Sequence, residues 1–175
     1  MVERADGQGP AVIGARGAEA LEALDEVKDP EVPALSVVEL GVVREIEAEE
    51  GRVTVTLTPT YSGCPAMKMI EDEVRARLAR AGFGEILVRT VYSPPWTTDW
   101  IPEAAREKLR AYGIAPPGKV SAQDLVPIGR ATRAVACPFC GSSDTVLESE
   151  FGPTACKSLY VCRSCNQPFE HFKPF

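Results

Sequence analysis

Apolar and polar positions change their period along this chain, and each change marks an element. From Ala18 to Lys28, Leu21, Leu24 and Val27 recur at helical spacing until Asp29-Pro30 ends the run. Two strand-like stretches follow, Val42 to Ala48 and Arg52 to Thr58, joined at Glu49-Glu50-Gly51. In the second, Val53, Val55 and Leu57 alternate with Thr54, Thr56 and Thr58, the pattern of a hairpin with one buried face. Pro65 to Ala81 returns to helical spacing, with Met67, Ile70, Val74 and Leu78 on one face and Gly82 as the stop. Ile86 to Tyr92 reads as a third strand, and Pro102 to Tyr112 as a last helix closed by Gly113 and Pro116-Pro117. No internal repeat is visible.

These elements predict an α/β fold: a small mixed three-stranded sheet with helices over 18–117. A disordered N-terminal tail is expected at 1–17, a linker at 118–133 where periodicity lapses, and a separate C-terminal module at 134–175. The second strand, the following helix and the third strand form a strand-helix-strand unit. If those strands share a sheet, they run parallel with a right-handed crossover, and their carboxyl ends share one edge. The loops Thr60–Cys64 and Ser93–Trp96 then meet near Glu39-Leu40-Gly41, where the antiparallel first strand begins.

The C-terminal module is read from its cysteines. Cys137-Pro138-Phe139-Cys140 and Cys162-Arg163-Ser164-Cys165 are two C-x2-C turns, each aiming two thiolates at one point, and together they supply the four soft ligands of a closed tetrahedral zinc site. Gly141 follows the first pair as a tight turn requires, and Thr145–Leu147 and Leu159–Val161 can supply short strands. This is the pattern of a zinc ribbon. A segment of about 40 residues cannot bury enough core to fold alone, so structural zinc would contribute on the order of 10 kcal/mol or more. A rubredoxin-like iron site and a redox thiol pair are the competing readings of the same spacing.

Charge and composition narrow the class. The 175 residues carry 19 Lys+Arg against 25 Asp+Glu, a net charge of −6. Within the ribbon, Lys157, Arg163 and Lys173 face Asp144, Glu148, Glu150 and Glu170, which is not the basic footprint of a nucleic-acid reader. No apolar run approaches the length of a membrane span, and the charged start Met1–Asp6 is no positive-then-apolar leader. A reduced, cytoplasmic protein is expected, in which C-x2-C spacing points to metal rather than disulfides.

Cys64 is the candidate reactive residue. It precedes Pro65, a residue suited to the first helical position, so its thiol occupies or neighbours a helix N-cap where amides and dipole favour the thiolate. The competing reading is a small apolar residue packed beneath its loop. Asp29, Glu31 and Glu39 are candidates to line the same site, although Asp-Pro-Glu is also an ordinary turn. Cys156 lies outside both pairs, either a spare packed thiol or part of a second labile metal site. Trp96 and Trp100 are either partner anchors or core, Phe169, Phe172 and Phe175 are expected to clamp the ribbon onto the larger domain, and His171 is a minor alternative zinc ligand.

Four motifs in order, Asp29-Pro30-Glu31-Val32-Pro33, Leu40-Gly41-Val42-Val43, Thr58–Pro65 and Pro94-Pro95-Trp96, resemble those of the MIP18-type (DUF59) domain of iron-sulfur assembly factors. Within that group, Trp96–Ile101, Tyr112–Pro117 and the ribbon's Phe151–Lys157 resemble the PaaD (PaaJ) family of ring-1,2-phenylacetyl-CoA epoxidase subunits. The resemblance spans Ala18 to Phe175. It implies a role in phenylacetate catabolism beside a diiron oxygenase and an iron-sulfur flavin reductase as partners. This chain carries no diiron carboxylate-histidine pattern, no dinucleotide loop and no ferredoxin cluster motif, so it is expected not to be catalytic alone. The resemblance also implies Cys64 as a transient iron or iron-sulfur cluster ligand. Two other classes stay open at this point: a non-catalytic structural or coupling subunit, and a zinc-ribbon regulator of nucleic acid.

Overall fold

The structure, a computed structural model, describes residues 9–118 and 134–175. Compactness divides the chain into two units: one runs through Trp96 and includes Trp100–Pro102, and the other comprises Thr97–Asp99 and Glu103–Phe175.

The first unit is a four-stranded sheet with two helices, ordered β1 (Ala11–Ile13), β2 (Val43–Glu49), β3 (Arg52–Leu57) and β4 (Glu85–Thr90). As the alternation predicts, β2 and β3 form an antiparallel hairpin, and Val53, Val55 and Leu57 are completely buried. The parallel pairing of β3 with β4 runs unbroken from Arg52–Glu85 to Leu57–Thr90. Between them α2 (Met67–Arg80) buries Ile70, Val74 and Leu78, the stripe expected for an amphipathic helix. The other helix, α1 (Gly17–Asp25), buries Ala20 and Leu24 and packs against β2 and α2. Arg44 falls at the register shift of β2, an extra residue that bends the strand.

Two expectations about boundaries are corrected. Residues 1–17 are not a tail throughout: 1–8 lie outside the described residues, but Ala11–Ile13 form β1, parallel to β2. Backbone pairing makes this strand, and three residues are too few to display a period. Arg16 then fastens it, donating from Nη2 to Ala81 O at 2.9 Å and lying 4.1 Å from the Phe83 ring centroid.

The second correction concerns 103–117. The helix α3 (Glu103–Tyr112) and β5 (Ile114–Ala115) belong to the ribbon unit, not to the sheet with Cys64. Here β5 pairs in parallel with β8 (Pro168–Phe172), at the edge of a sheet ordered β5-β8-β7-β6, where β6 is Thr145–Ser149 and β7 is Lys157–Cys162. Ala115 joins Cys137, Tyr160, Cys162 and Phe169 in one buried cluster, so the ribbon recruits apolar area from beyond its own motif. Within this unit Phe175 O accepts hydrogen bonds from Thr98 N–H at 3.2 Å and Thr97 Oγ1 at 2.8 Å, and Thr98 O accepts from Arg106 at 2.7 Å. Of the expected linker 118–133, all but Gly118 lies outside the described residues. No helix among the described residues is long and apolar enough to cross a membrane.

Candidate functional site

The four ribbon cysteines converge. The ligand atoms of Cys137, Cys140, Cys162 and Cys165 all lie within 4.8 Å of one another. Two knuckles of the same geometry place them. Gly141 N–H donates to Cys137 O at 2.9 Å, and Asn166 N–H donates to Cys162 O at 2.9 Å. The return bonds, Cys137 N–H to Ser142 O and Cys162 N–H to Gln167 O, are 2.9 and 3.0 Å. Each turn requires a left-handed residue after the second cysteine, Gly141 at φ 75° and Asn166 at φ 58°. Glycine adopts that conformation without strain and asparagine tolerates it. The sequence announces the turn at Gly141; at Asn166 the matching signal is asparagine's tolerance of positive φ, which glycine-based reading overlooks.

The donor set fits a tetrahedral metal. Sγ separations of 3.7 Å for Cys137–Cys165 and 3.6 Å for Cys140–Cys162 match the edge of about 3.8 Å expected for a tetrahedron with metal–sulfur bonds of about 2.3 Å. Against its burial, the amides of Cys165 and Ser164 and the neighbouring thiols bring Cys162 down to about 7. Despite the Gln167 amide, burial and the other thiols push Cys165 up to about 12. Four thiolates cannot coexist here without a cation to balance them.

The other ribbon candidates lie apart from this cluster. Cys156 is buried, its Sγ 3.2 Å from Thr154 Oγ1. Among the described residues it joins no group of three or more metal-capable side chains, and neither does His171. His171 is 8% exposed, its Nδ1 3.3 Å from Ser158 Oγ and its ring edge-on to Tyr160. Burial, reinforced by Lys173, lowers it to about 4 and keeps it neutral.

In the first unit, Cys64 is half-buried in the turn that leads from β3 into α2. The helix begins at Met67 with Ala66 at its cap position and no side-chain cap, so Cys64 stands just outside the helix. The amides of Ala66 and Met67 do favour its thiolate, but burial, Glu31 and Asp29 oppose them, and the thiol is raised above the ordinary cysteine value. The helix-start amides that the sequence places at Cys64 are present, but the thiol is raised rather than lowered.

Asp29 serves two ends. Its Oδ1 accepts the amides of Glu31 and Val32 at 2.8 Å each, forming the turn, while its charge acts on Cys64. Glu31 acts on the thiol as well. Glu39 instead closes a capping box: its Oε2 accepts Ser36 N–H at 3.0 Å, Ser36 Oγ accepts Glu39 N–H at 3.0 Å, and Lys28 lies 3.8 Å away. Trp96 is buried rather than presented, whereas Trp100 is half-buried beneath Arg44.

Comparison with known proteins follows this division. Residues 18–88 match the family described as iron-sulfur cluster assembly protein, and residues 122–173 match the PaaD zinc beta ribbon domain. A protein of Escherichia coli (strain K12) named as one of the subunits of a 1,2-phenylacetyl-CoA epoxidase is 45% identical over 151 residues, 86% of this chain and 88% of that protein. The chain belongs to the PaaD family. As in the sequence resemblance, the PaaD ribbon is joined to an iron-sulfur assembly domain. The Fe-S protein maturation auxiliary factor YitW of Bacillus subtilis (strain 168) is 37% identical over 89 residues, 50% of this PaaD-family chain and 86% of that factor. A solved DUF59 domain from Bacillus anthracis is 30% identical with a TM-score of 0.50, covering 53% of this chain and 89% of that one. This kinship makes the chain an accessory-type protein related both to an epoxidase component and to Fe-S maturation factors.

Proposed function

We propose that this PaaD-family chain is an accessory protein of a phenylacetyl-CoA epoxidase that assists the loading of iron or an iron-sulfur cluster onto the oxygenase or the iron-sulfur flavin reductase. Cys64 is the residue that takes up the metal in transit, and the ribbon is held by structural zinc on Cys137, Cys140, Cys162 and Cys165. The observation that carries this reading is the setting of Cys64: a half-buried thiol, touched by two helix-start amides and by the charges of Asp29 and Glu31, in a region that matches iron-sulfur assembly proteins.

A protonated thiol suits cargo that comes and goes. Binding a soft cation displaces the proton, and the negative field of Asp29 and Glu31 that disfavours a bare thiolate favours the cation instead. Release is the reverse, with the proton returning to sulfur. The ribbon's four donors leave no open position for such exchange, which assigns it to structure.

The test is Cys64→Ser in a strain dependent on phenylacetate. The oxygen is close in size but a poor ligand for iron, so the variant should fold and leave an assembled epoxidase deficient in iron, with growth on phenylacetate lost. Full iron content and growth would leave the chain a structural or coupling subunit.

A further inference from the structure

The sheet of the first unit ends in an edge that carries little of what keeps strand edges apart. In the order β1-β2-β3-β4, β4 lies outermost, and no strand among the described residues pairs with its far side. Its residues, Glu85-Ile86-Leu87-Val88-Arg89-Thr90, include no proline or lysine, and their pairing with β3 has no bulge. The opposite edge, β1, is only three residues long.

Backbone direction shows which groups this edge offers. Glu85 N–H donates to Gly51 O at 2.9 Å and Val91 N–H to Leu57 O at 2.8 Å, so the odd-numbered residues turn their amides inward to the β3 side. By alternation, Ile86, Val88 and Thr90 turn theirs outward. Side chains alternate too. Thr90 Oγ1 donates to Glu71 Oε1 of α2 at 2.8 Å, which puts Ile86, Val88 and Thr90 on the helix-covered face. Glu85, Leu87 and Arg89 share the other face, and all three are exposed. Glu85 has only a solvent-exposed pair with Arg52 at 3.6 Å, which leaves its carboxylate open to a second cation.

The strand is its own complement. In an antiparallel pair of two copies centred on Leu87, each Ile86 lies opposite a Val88, and the outward amides and carbonyls of these residues meet as hydrogen-bonded pairs. Leu87 then lies against Leu87, and each Glu85 against an Arg89, in the closer positions between those bonds. Moving the centre by one residue either way would set Leu87 against Arg89 or against Glu85. Charge and hydrophobicity together select one register. We propose that β4 is a dimerisation edge, at which two copies of this chain join their four-stranded sheets into one, antiparallel about Leu87 with two-fold symmetry.

The test is sedimentation equilibrium of the full-length, metal-loaded chain, which should show a reversible dimer. Glu85→Arg and Arg89→Glu each set like charges opposite one another twice, so each should raise the dimer Kd by about tenfold or more. Mixed together, the two variants should pair with each other, because their reversed edges are complementary. The double variant Glu85→Arg/Arg89→Glu should recover wild-type affinity. Independently of any substitution, the Ile86 and Val88 amides of the wild type should gain protection from hydrogen exchange as the chain is concentrated into the dimer range. A wild type that stays monomeric overturns the proposal, including the case in which the edge receives a strand from a different protein. A dimer indifferent to both single reversals also overturns it, because the copies then meet elsewhere. Failure of the mixture and the double variant to recover pairing, in chains with wild-type circular dichroism, overturns the register about Leu87.

Discussion

Thiols stand in opposite settings in the two units of this protein. In the ribbon, two knuckles of matched geometry bring four sulfurs within 4.8 Å, an arrangement whose thiolate form needs a cation to balance it. At Cys64 one thiol sits near the start of α2, raised above the ordinary cysteine value by burial, with Asp29 and Glu31 acting in the same direction. The number of converging donors, rather than the presence of cysteine, separates a cluster able to hold a metal ion from a single thiol. The local helix terminus favours the thiolate at Cys64, yet burial and two carboxylates from a distant part of the chain outweigh it.

Removing the ribbon's metal should break this contrast most severely. A strong chelator, or Cys162→Ser, should cost the ribbon unit on the order of 10 kcal/mol and unfold β6 to β8. The check is metal content together with near-ultraviolet circular dichroism. Ribbon structure that persists after the metal is gone would mean that the apolar cluster around Tyr160 and Phe169 suffices alone.

Acid offers a second, smaller lever on the ribbon. His171 is lowered to about 4 in the folded state against 6.5 unfolded, so its contribution is present above 6.5 and lost as pH falls towards 4, where the unfolded chain binds the extra proton. By pH 5 the loss should reach about 2 kcal/mol relative to pH 7. Denaturant unfolding of the wild type and His171→Asn, both with excess zinc, isolates it. Parallel pH curves for the two proteins would remove His171 as the cause.

Reactivity sharpens the other side. In the native chain at pH 7, Cys64 should alkylate more slowly than a free thiol, because its value is raised, and the rate should climb with pH into the alkaline range. A rate above the free thiol would restore the activated thiolate. The smallest effect is expected for the stability of Cys64→Ser, within about 1 kcal/mol of wild type by denaturant unfolding. A loss of several would mark the thiol as core.

How much of this was legible follows from the range of the interactions. The helix stripe Ile70, Val74, Leu78 and the alternation in β3 are local, and the structure keeps them within a residue or two of their expected ends. The knuckles are local too, since C-x2-C confines both ligands of each pair to one turn. Long-range pairing was not legible: Ala11–Ile13 becomes a strand only because β2 lies beside it, and Ile114–Ala115 joins the ribbon only because β8 does. Cys64 and Asp29 fall between these cases. Their motifs were recognisable, but the sign of the thiol's shift depends on contacts that spacing does not encode.

Asn166 carries a consequence for how such ribbons are found. The second knuckle repeats the first bond for bond, with asparagine where the first has glycine. A search pattern that demands glycine after each cysteine pair would read this chain as half a ribbon. One written for the backbone, admitting either residue that rests comfortably at positive φ, recovers both halves and with them the full ligand set.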